Sequence, residues 1–156
     1  MTDERMADAL WPALRRVPPG GGVVFRHLAT PAPERLALFR RVRSVALARR
    51  LVLVVAGERL PWPARHGGPR PVTAPAHDRR EAIAGVRSGA RVLFVSPVFA
   101  TRTHPGVTGL GVRRARAVVR GLPVAVVALG GMDAGRSRRV RGLGFVGWAG
   151  IDGWMR

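Results

Sequence analysis

Two hydroxyls, a guanidinium and an imidazole fall on four consecutive residues, Thr101-Arg102-Thr103-His104, directly after the apolar run RVLFVSPVF at residues 91–99. That combination suits an anion, phosphate above all, because every group can donate a hydrogen bond and two can add positive charge. A second apolar run, PVAVVALGG, ends in Gly130-Gly131. Two glycines there let backbone N–H groups approach a phosphate without side-chain obstruction. Arg26 ends the run GVVFRH, and His77 follows VTAPA immediately before Asp78. An imidazole at such a position is a candidate acid, base or anion-binding group near neutral pH. Ser96 and Asp152 are the remaining candidates, each near the end of an apolar run. Plainer readings stay open for all of them: a solvated loop at 101–104, a tight turn at 130–131, a surface arginine, a residue beside a helix cap at His77, and a cap of the final turn at Asp152.

The elements that would position these residues alternate. Residues 33–50 carry Leu36, Phe39, Val42 and Ala46 at helical spacing. Residues 51–57, LVLVVAG, read as a continuous buried strand of the parallel-sheet kind. Prolines and glycines at 58–71 argue against a regular helix there. After the short strand candidate at 72–77, Asp78 with Glu81 three residues on predicts a capped helix. The run at 91–99 is followed by a helix ending at Gly121, and the run at 123–131 by a short helix capped by Asp133. FVGWAGID then reads as the last strand. Strand–helix alternation predicts an α/β fold with a parallel sheet, whose chemistry sits at the carboxyl ends of the strands. An open doubly wound sheet and a closed barrel both satisfy the pattern. The chain is short for a barrel, which implies trimmed helices around residues 61–71, and MTDER reads as the end of a further strand. Gly20 to Gly22 precede their strand, so they form a turn and not a dinucleotide fingerprint.

At 156 residues the chain predicts a single domain spanning 1–156. No apolar run approaches the roughly 18 residues of a membrane span. The polar start lacks a signal-peptide pattern, and the absence of cysteine removes disulfides and thiolate metal sites, so cytoplasm is the expected location. Net charge is +18 and all 27 basic residues are arginine. Such a charge raises nucleic-acid binding as a class. Against it, the arginines are spread over the predicted helices, and no basic-aromatic alternation of the base-stacking kind occurs. Arginine without lysine reads as compositional drift of the coding sequence, and a nucleic-acid partner is disfavoured. Homo-oligomerisation is not legible.

Taken together, VSPVFATRTHPG, LPVAVVALGGM and LGFVGWAGID resemble the thiamine phosphate synthase and thiazole tautomerase family, whose members carry Gly/Ser-Pro-Val-Phe followed by Thr-x-Thr/Ser-Lys, then Pro-Val-x-Ala-x-Gly-Gly-Ile and a Gly-x-Ala-rich strand. VVFRH, APAHD and MTDER look like its earlier segments. The resemblance implies a reduced (β/α)8 TIM-type barrel that joins a hydroxymethylpyrimidine pyrophosphate to a thiazole phosphate, releasing pyrophosphate. It implies Arg26, Thr101 and Thr103, with Arg102 or His104 adding charge, on the pyrophosphate side. Gly130, Gly131 and the backbone up to Asp152 would face the thiazole phosphate, with Ser96 and Phe99 near the pocket. His77 is the candidate base.

The departures fall on one side. Mg²⁺ is implied by the resemblance, yet the carboxylate expected after the third strand of the family falls at Ala56-Gly57, with Glu58 the nearest acid. The segment carrying the second metal carboxylate is reduced to ARHGG. The expected serine is Pro75, the expected lysine is His104, and the tautomerase's histidine is Pro97. A thiamine phosphate synthase of thiamine biosynthesis is therefore the first reading. A family member that binds thiazole phosphate or thiamine phosphate, or acts as a tautomerase-like enzyme without Mg²⁺, is the second.

Overall fold

The computed structural model describes every residue except 59, 102–105, 107 and 156. Seven parallel strands form one sheet: β1 (Gly22–Phe25), β2 (Val52–Ala56), β3 (Arg65–His66), β4 (Thr73–Ala76), β5 (Val92–Val95), β6 (Ala125–Ala128) and β7 (Gly147–Trp148). Their spatial order is their chain order. A doubly wound sheet needs a point where strand order reverses; this sheet has none, so the architecture is a reduced (β/α)8 barrel. Between β1 and the segment after β7 lie residues 1–2, with Thr2 N donating to Val24 O at 2.9 Å and Met1 N to Gly150 O at 3.0 Å. The segment MTDER thus touches both ends of the sheet through its first two residues, while Glu4–Ala9 winds into a 3-10 turn capped by Asp3.

Side-chain alternation sorts the strands into two faces. Val24, Val54, Ala56 and Phe94 meet inside the barrel, with Val92, Val127, Leu129 and Ala149 partly buried against them. The opposite face packs on helices in two clusters. Val23, Phe25, Leu53 and Val55 meet Phe39, Val42 and Ala46 of α2 (Ala32–Ala48) and Leu10 and Leu14 of α1 (Leu10–Arg16). Ala74, Ala76, Leu93, Val95, Val126 and Ala128 meet Ala82 of α3 (Arg79–Arg87) and Ala115 and Val118 of α4 (Gly111–Val119). The helical spacing of Phe39, Val42 and Ala46 is what buries one face of α2.

The barrel is shortened where prolines and glycines concentrate. No helix occurs among the described residues between β2 and β3, nor between β3 and β4. Trp62 fills the helix position after β2, its Nε1 donating to Leu53 O at 2.8 Å and its ring lying edge-on to Phe39. A six-residue turn joins β3 to β4, held by Gly67 N to Thr73 O (2.8 Å) and Val72 N to Arg65 O (3.0 Å). Asp78 caps α3 by accepting from Glu81 N at 2.8 Å. Glu81 in return accepts from His77 N at 2.9 Å, one residue earlier than in the usual capping box. Asp133 caps the one-turn α5 (Ala134–Ser137) in the same way.

Candidate functional site

The inward positions on each strand set the site. Arg26 continues the Val24 face, Ser96 continues Val92 and Phe94, and His77 follows Thr73 and Pro75 on the face of β4 opposite Ala74 and Ala76. All three emerge at the carboxyl end of the sheet and line one cavity of about 420 Å³, together with Thr101, Gly130, Gly131 and Asp152. Every described residue singled out as a site candidate from sequence is therefore in one place. Arg102, Thr103 and His104 lie outside the described residues. Leu129, Met132, Ile151 and Pro97 supply the apolar part of the wall.

The loops that follow β5, β6 and β7 are locked together by glycine. Val98 N donates to Leu129 O at 2.8 Å and Phe99 N to Gly130 O at 3.1 Å, so the loop after β5 lies directly on the loop after β6. Gly130 has φ +87°, and a Cβ there would stand 2.6 Å from Pro97 Cα. Gly131 has φ +60°, and its Cβ would collide with Ala100 O. On the other side, a Cβ on Gly153 would stand 2.6 Å from Met132 O. The paired glycines are thus required twice over, for a left-handed backbone and for close approach of neighbouring loops.

Individual groups differ in setting. His77 is exposed, and its Nδ1 sits 2.7 Å from Glu81 Oε2. Asp152 does not cap the closing 3-10 turn through its side chain but stands first in it, 3.8 Å from Arg5 Nη1. Arg5 also pairs with Asp3 at 2.9 Å. Ser96 is half-buried at the cavity wall.

Two residues enter that sequence reasoning did not single out. Arg136, in the first turn of α5, lines the cavity, donates to Gly131 O at 2.6 Å and lies over the Phe99 ring at 5.3 Å. Its signal was the three-residue spacing from the Asp133 cap. His66 faces the barrel interior, edge-on to Phe94, with Nδ1 2.8 Å from Thr73 Oγ1. Burial, and then the charges of Arg26 and the Met1 amine, push its pKa down to about 4. His27, by contrast, points away from the cavity: it stacks on Phe25 at 4.9 Å and meets Thr2 Oγ1 at 3.0 Å, with its pKa lowered by burial.

The end of β2 is where the resemblance implies a magnesium ligand. The residues present do not fit one. Arg35 is buried there; its Nη2 donates to Ala56 O at 2.6 Å and Arg26 O at 3.0 Å, and its Nη1 to Glu58 O at 2.9 Å. Arg65 donates to Gly57 O and, at 3.2 Å, to Leu60 O. Hard oxygen donors that could hold Mg²⁺ are instead bonded to guanidinium groups. Glu58 is exposed and does not line the cavity. No group of three or more His, Asp or Glu that could hold a metal ion occurs among the described residues.

Comparison with known proteins bears on the same residues. A family model described as thiamine monophosphate synthase matches residues 63–153. The thiamine-phosphate synthase of Chloroflexus aurantiacus is 33% identical over 106 residues, which is 67% of this chain but 42% of that protein. The chain thus spans about two fifths of that curated relative. Thiamine phosphate pyrophosphorylase from Pyrococcus furiosus superposes with a TM-score of 0.78 at 21% identity, over 98% of this chain and 84% of that one. Nitroalkane oxidase from Streptomyces ansochromogenes gives 0.63 at 17% identity, over 91% and 60%. At those identities the structural likeness is one of fold. No described helix is long and apolar enough to cross a membrane.

Proposed function

Because the chain belongs to the thiamine monophosphate synthase family, we propose that it binds small phosphorylated thiamine precursors at the mouth of its barrel and joins a hydroxymethylpyrimidine pyrophosphate to a thiazole phosphate. It would do so in the cytoplasm, as one barrel unit over residues 1–156. The observation that carries this reading is the convergence of Arg26, Ser96, Thr101, Gly130, Gly131 and Asp152 on one cavity at the carboxyl ends of the strands.

In that reaction the thiazole nitrogen forms a C–N bond to the pyrimidine methylene carbon. The C–O bond to pyrophosphate breaks, and its electron pair leaves with the pyrophosphate. Negative charge grows on the leaving group and positive charge on the pyrimidine, so the site needs donors for the first and a shielded wall for the second. Arg26 and Thr101, which line the cavity, would serve the leaving group, a role the resemblance extends to Arg102, Thr103 and His104. Backbone around Gly130, Gly131 and Asp152 would hold the thiazole phosphate, and Arg136, which lines the same cavity, would add counter-charge for either anion. Pro97, Leu129, Met132 and Ile151 would shield the pyrimidine. Ser96 and His77 would orient it by hydrogen bonds, His77 being steadied by Glu81.

One observation favours a second reading, a member that binds thiazole phosphate or thiamine phosphate without joining the halves, or a tautomerase-like enzyme using His77. The β2 end presents Ala56-Gly57 bonded to arginines where the resemblance implies a carboxylate. Supplying both substrates and following pyrophosphate release and thiamine phosphate formation decides between them. Turnover with both products supports the synthase. Binding of thiazole phosphate or thiamine phosphate without turnover supports the second reading, and binding of neither refutes the phosphate site.

A further inference from the structure

We infer that this cavity takes its phosphorylated ligand as the metal-free anion, with arginine in place of a divalent cation as counter-charge. The inference rests on the phosphate-site reading above and adds to it the charge state of the ligand.

The β1–β3 side of the mouth is built around guanidinium groups. Arg35, itself buried, bonds the carbonyl oxygens of Arg26, Ala56 and Glu58, and Arg65 bonds that of Gly57. Gly57 has φ +75°, a left-handed backbone that strains any side chain there, and a Cβ would also have to move the Cδ2 of the exposed Leu28, 2.5 Å away. Two fixed positive charges and bonded carbonyls repel a dication and withhold its ligands. Protonation of His66 is opposed in the same region, by burial first and by Arg26 second. Of the carboxylates that line the cavity, Asp133 Oδ1 accepts from Arg136 N at 2.8 Å, and Asp152 stands in a long ion pair, 3.8 Å from Arg5 Nη1. Arg26 and Arg136 both line the cavity. Arginine presents a planar fork of donors that matches phosphate oxygens and never deprotonates, so it can neutralise a polyanion directly. Magnesium bound to pyrophosphate would offset part of the charge these arginines recognise.

Titration calorimetry of the full chain with inorganic pyrophosphate at constant ionic strength tests this, once with a chelator and once with excess Mg²⁺. The expected result is binding in chelator at least as tight as with Mg²⁺, weakened roughly tenfold or more by Arg26→Gln and by Arg136→Gln. Arg136 is exposed, so its variant serves if Arg26→Gln does not fold. Arg87 is exposed and outside the cavity; Arg87→Gln controls for adsorption on a basic surface and is expected to leave the affinity unchanged. Tightening of tenfold or more by Mg²⁺ overturns the inference while leaving the phosphate site standing. Equal weakening by all three variants also overturns it. If pyrophosphate fails in both conditions while thiamine phosphate binds, the inference falls alone; if neither binds, the reading beneath it falls as well.

Discussion

Replacing Gly130 with alanine tests the claim that loop interlock builds the site. Two penalties apply. The backbone sits at φ +87°, a conformation that costs an L-residue about 1–2 kcal/mol. The new Cβ also meets Pro97 Cα at 2.6 Å, a main-chain atom that cannot rotate away. Overpacking of that kind costs a further 1–3 kcal/mol, roughly. The sum is about 2–5 kcal/mol, a large share of the roughly 5–15 kcal/mol that stabilises a domain. Gly121 supplies the control: it has φ +67° but nothing within 4 Å of its would-be Cβ. Gly121→Ala should therefore lose only the backbone part, about 1–2 kcal/mol. Urea unfolding of both variants isolates the steric contribution as their difference. Relief of the clash must push residues 97–99 away from the loop after β6, so Gly130→Ala should also weaken binding of thiamine phosphate while Gly121→Ala should not. If the two variants are equally stable, or if Gly130→Ala binds as the parent does, the interlock does not shape the cavity.

Other consequences can be checked in the same assays. Phe39 is fully buried between α2 and the first two strands, so Phe39→Ala should lower unfolding free energy by about 3–5 kcal/mol. Arg35→Met keeps most of the side-chain bulk but strips donors from the carbonyls of Arg26, Ala56 and Glu58. A loss of about 3–5 kcal/mol in urea unfolding is expected, and a neutral result would mean that water replaces the guanidinium without penalty. His66 gives a pH signature. Its folded pKa of about 4 lies below its ordinary 6.5, so the folded state binds fewer protons than the unfolded one between those values. Its contribution is complete above pH 6.5, is lost as pH falls towards about 4, and amounts to roughly 3 kcal/mol. Comparing the pH dependence of unfolding in parent and His66→Asn should show a steeper slope in the parent, the variant keeping the part that His27 contributes.

How much of this was legible follows from what each signal depends on. β2, β5 and β6 are buried on both faces, and a run of apolar residues reveals such strands without any partner in view. β3 has no such run. Arg65 and His66 count as a strand only through their pairing with Val55, Ala56 and Thr73, which no local pattern encodes. The short α1 was missed too, its apolar face being Leu10, Ala13 and Leu14 around an internal proline. Strand ends were overread at residues 96–99, because they are apolar yet leave the sheet to form the cavity wall. Position at the ends of apolar runs found Arg26, His77 and Ser96. It could not find Arg136, one arginine among 27, whose place depends on how α5 sits over the loop after β5.

The same contrast separates the two halves of the site. Around β5, β6 and β7 the residues that resemble the family are also those the geometry needs, since Gly130, Gly131 and Gly153 each leave room for a neighbouring backbone atom. Around β1, β2 and β3 the resemblance is thin and, among the described residues, no helix follows β2 or β3, but the space is not empty. Trp62 covers the sheet where a helix would lie, and Arg35 draws together the carbonyls of Arg26, Ala56 and Glu58. A carboxylate at the end of β2 would have to displace that guanidinium network or be neutralised by it. Restoring the acid alone, as Gly57→Asp, should therefore not restore a magnesium site. It should instead form an ion pair with Arg35, whose Nη2 lies 3.6 Å from the would-be Cβ, and weaken anion binding at Arg26. Calorimetry with Mg²⁺ and with pyrophosphate reads both effects in one variant, and Mg²⁺ binding by Gly57→Asp would show that the arginine cluster is incidental to the metal question.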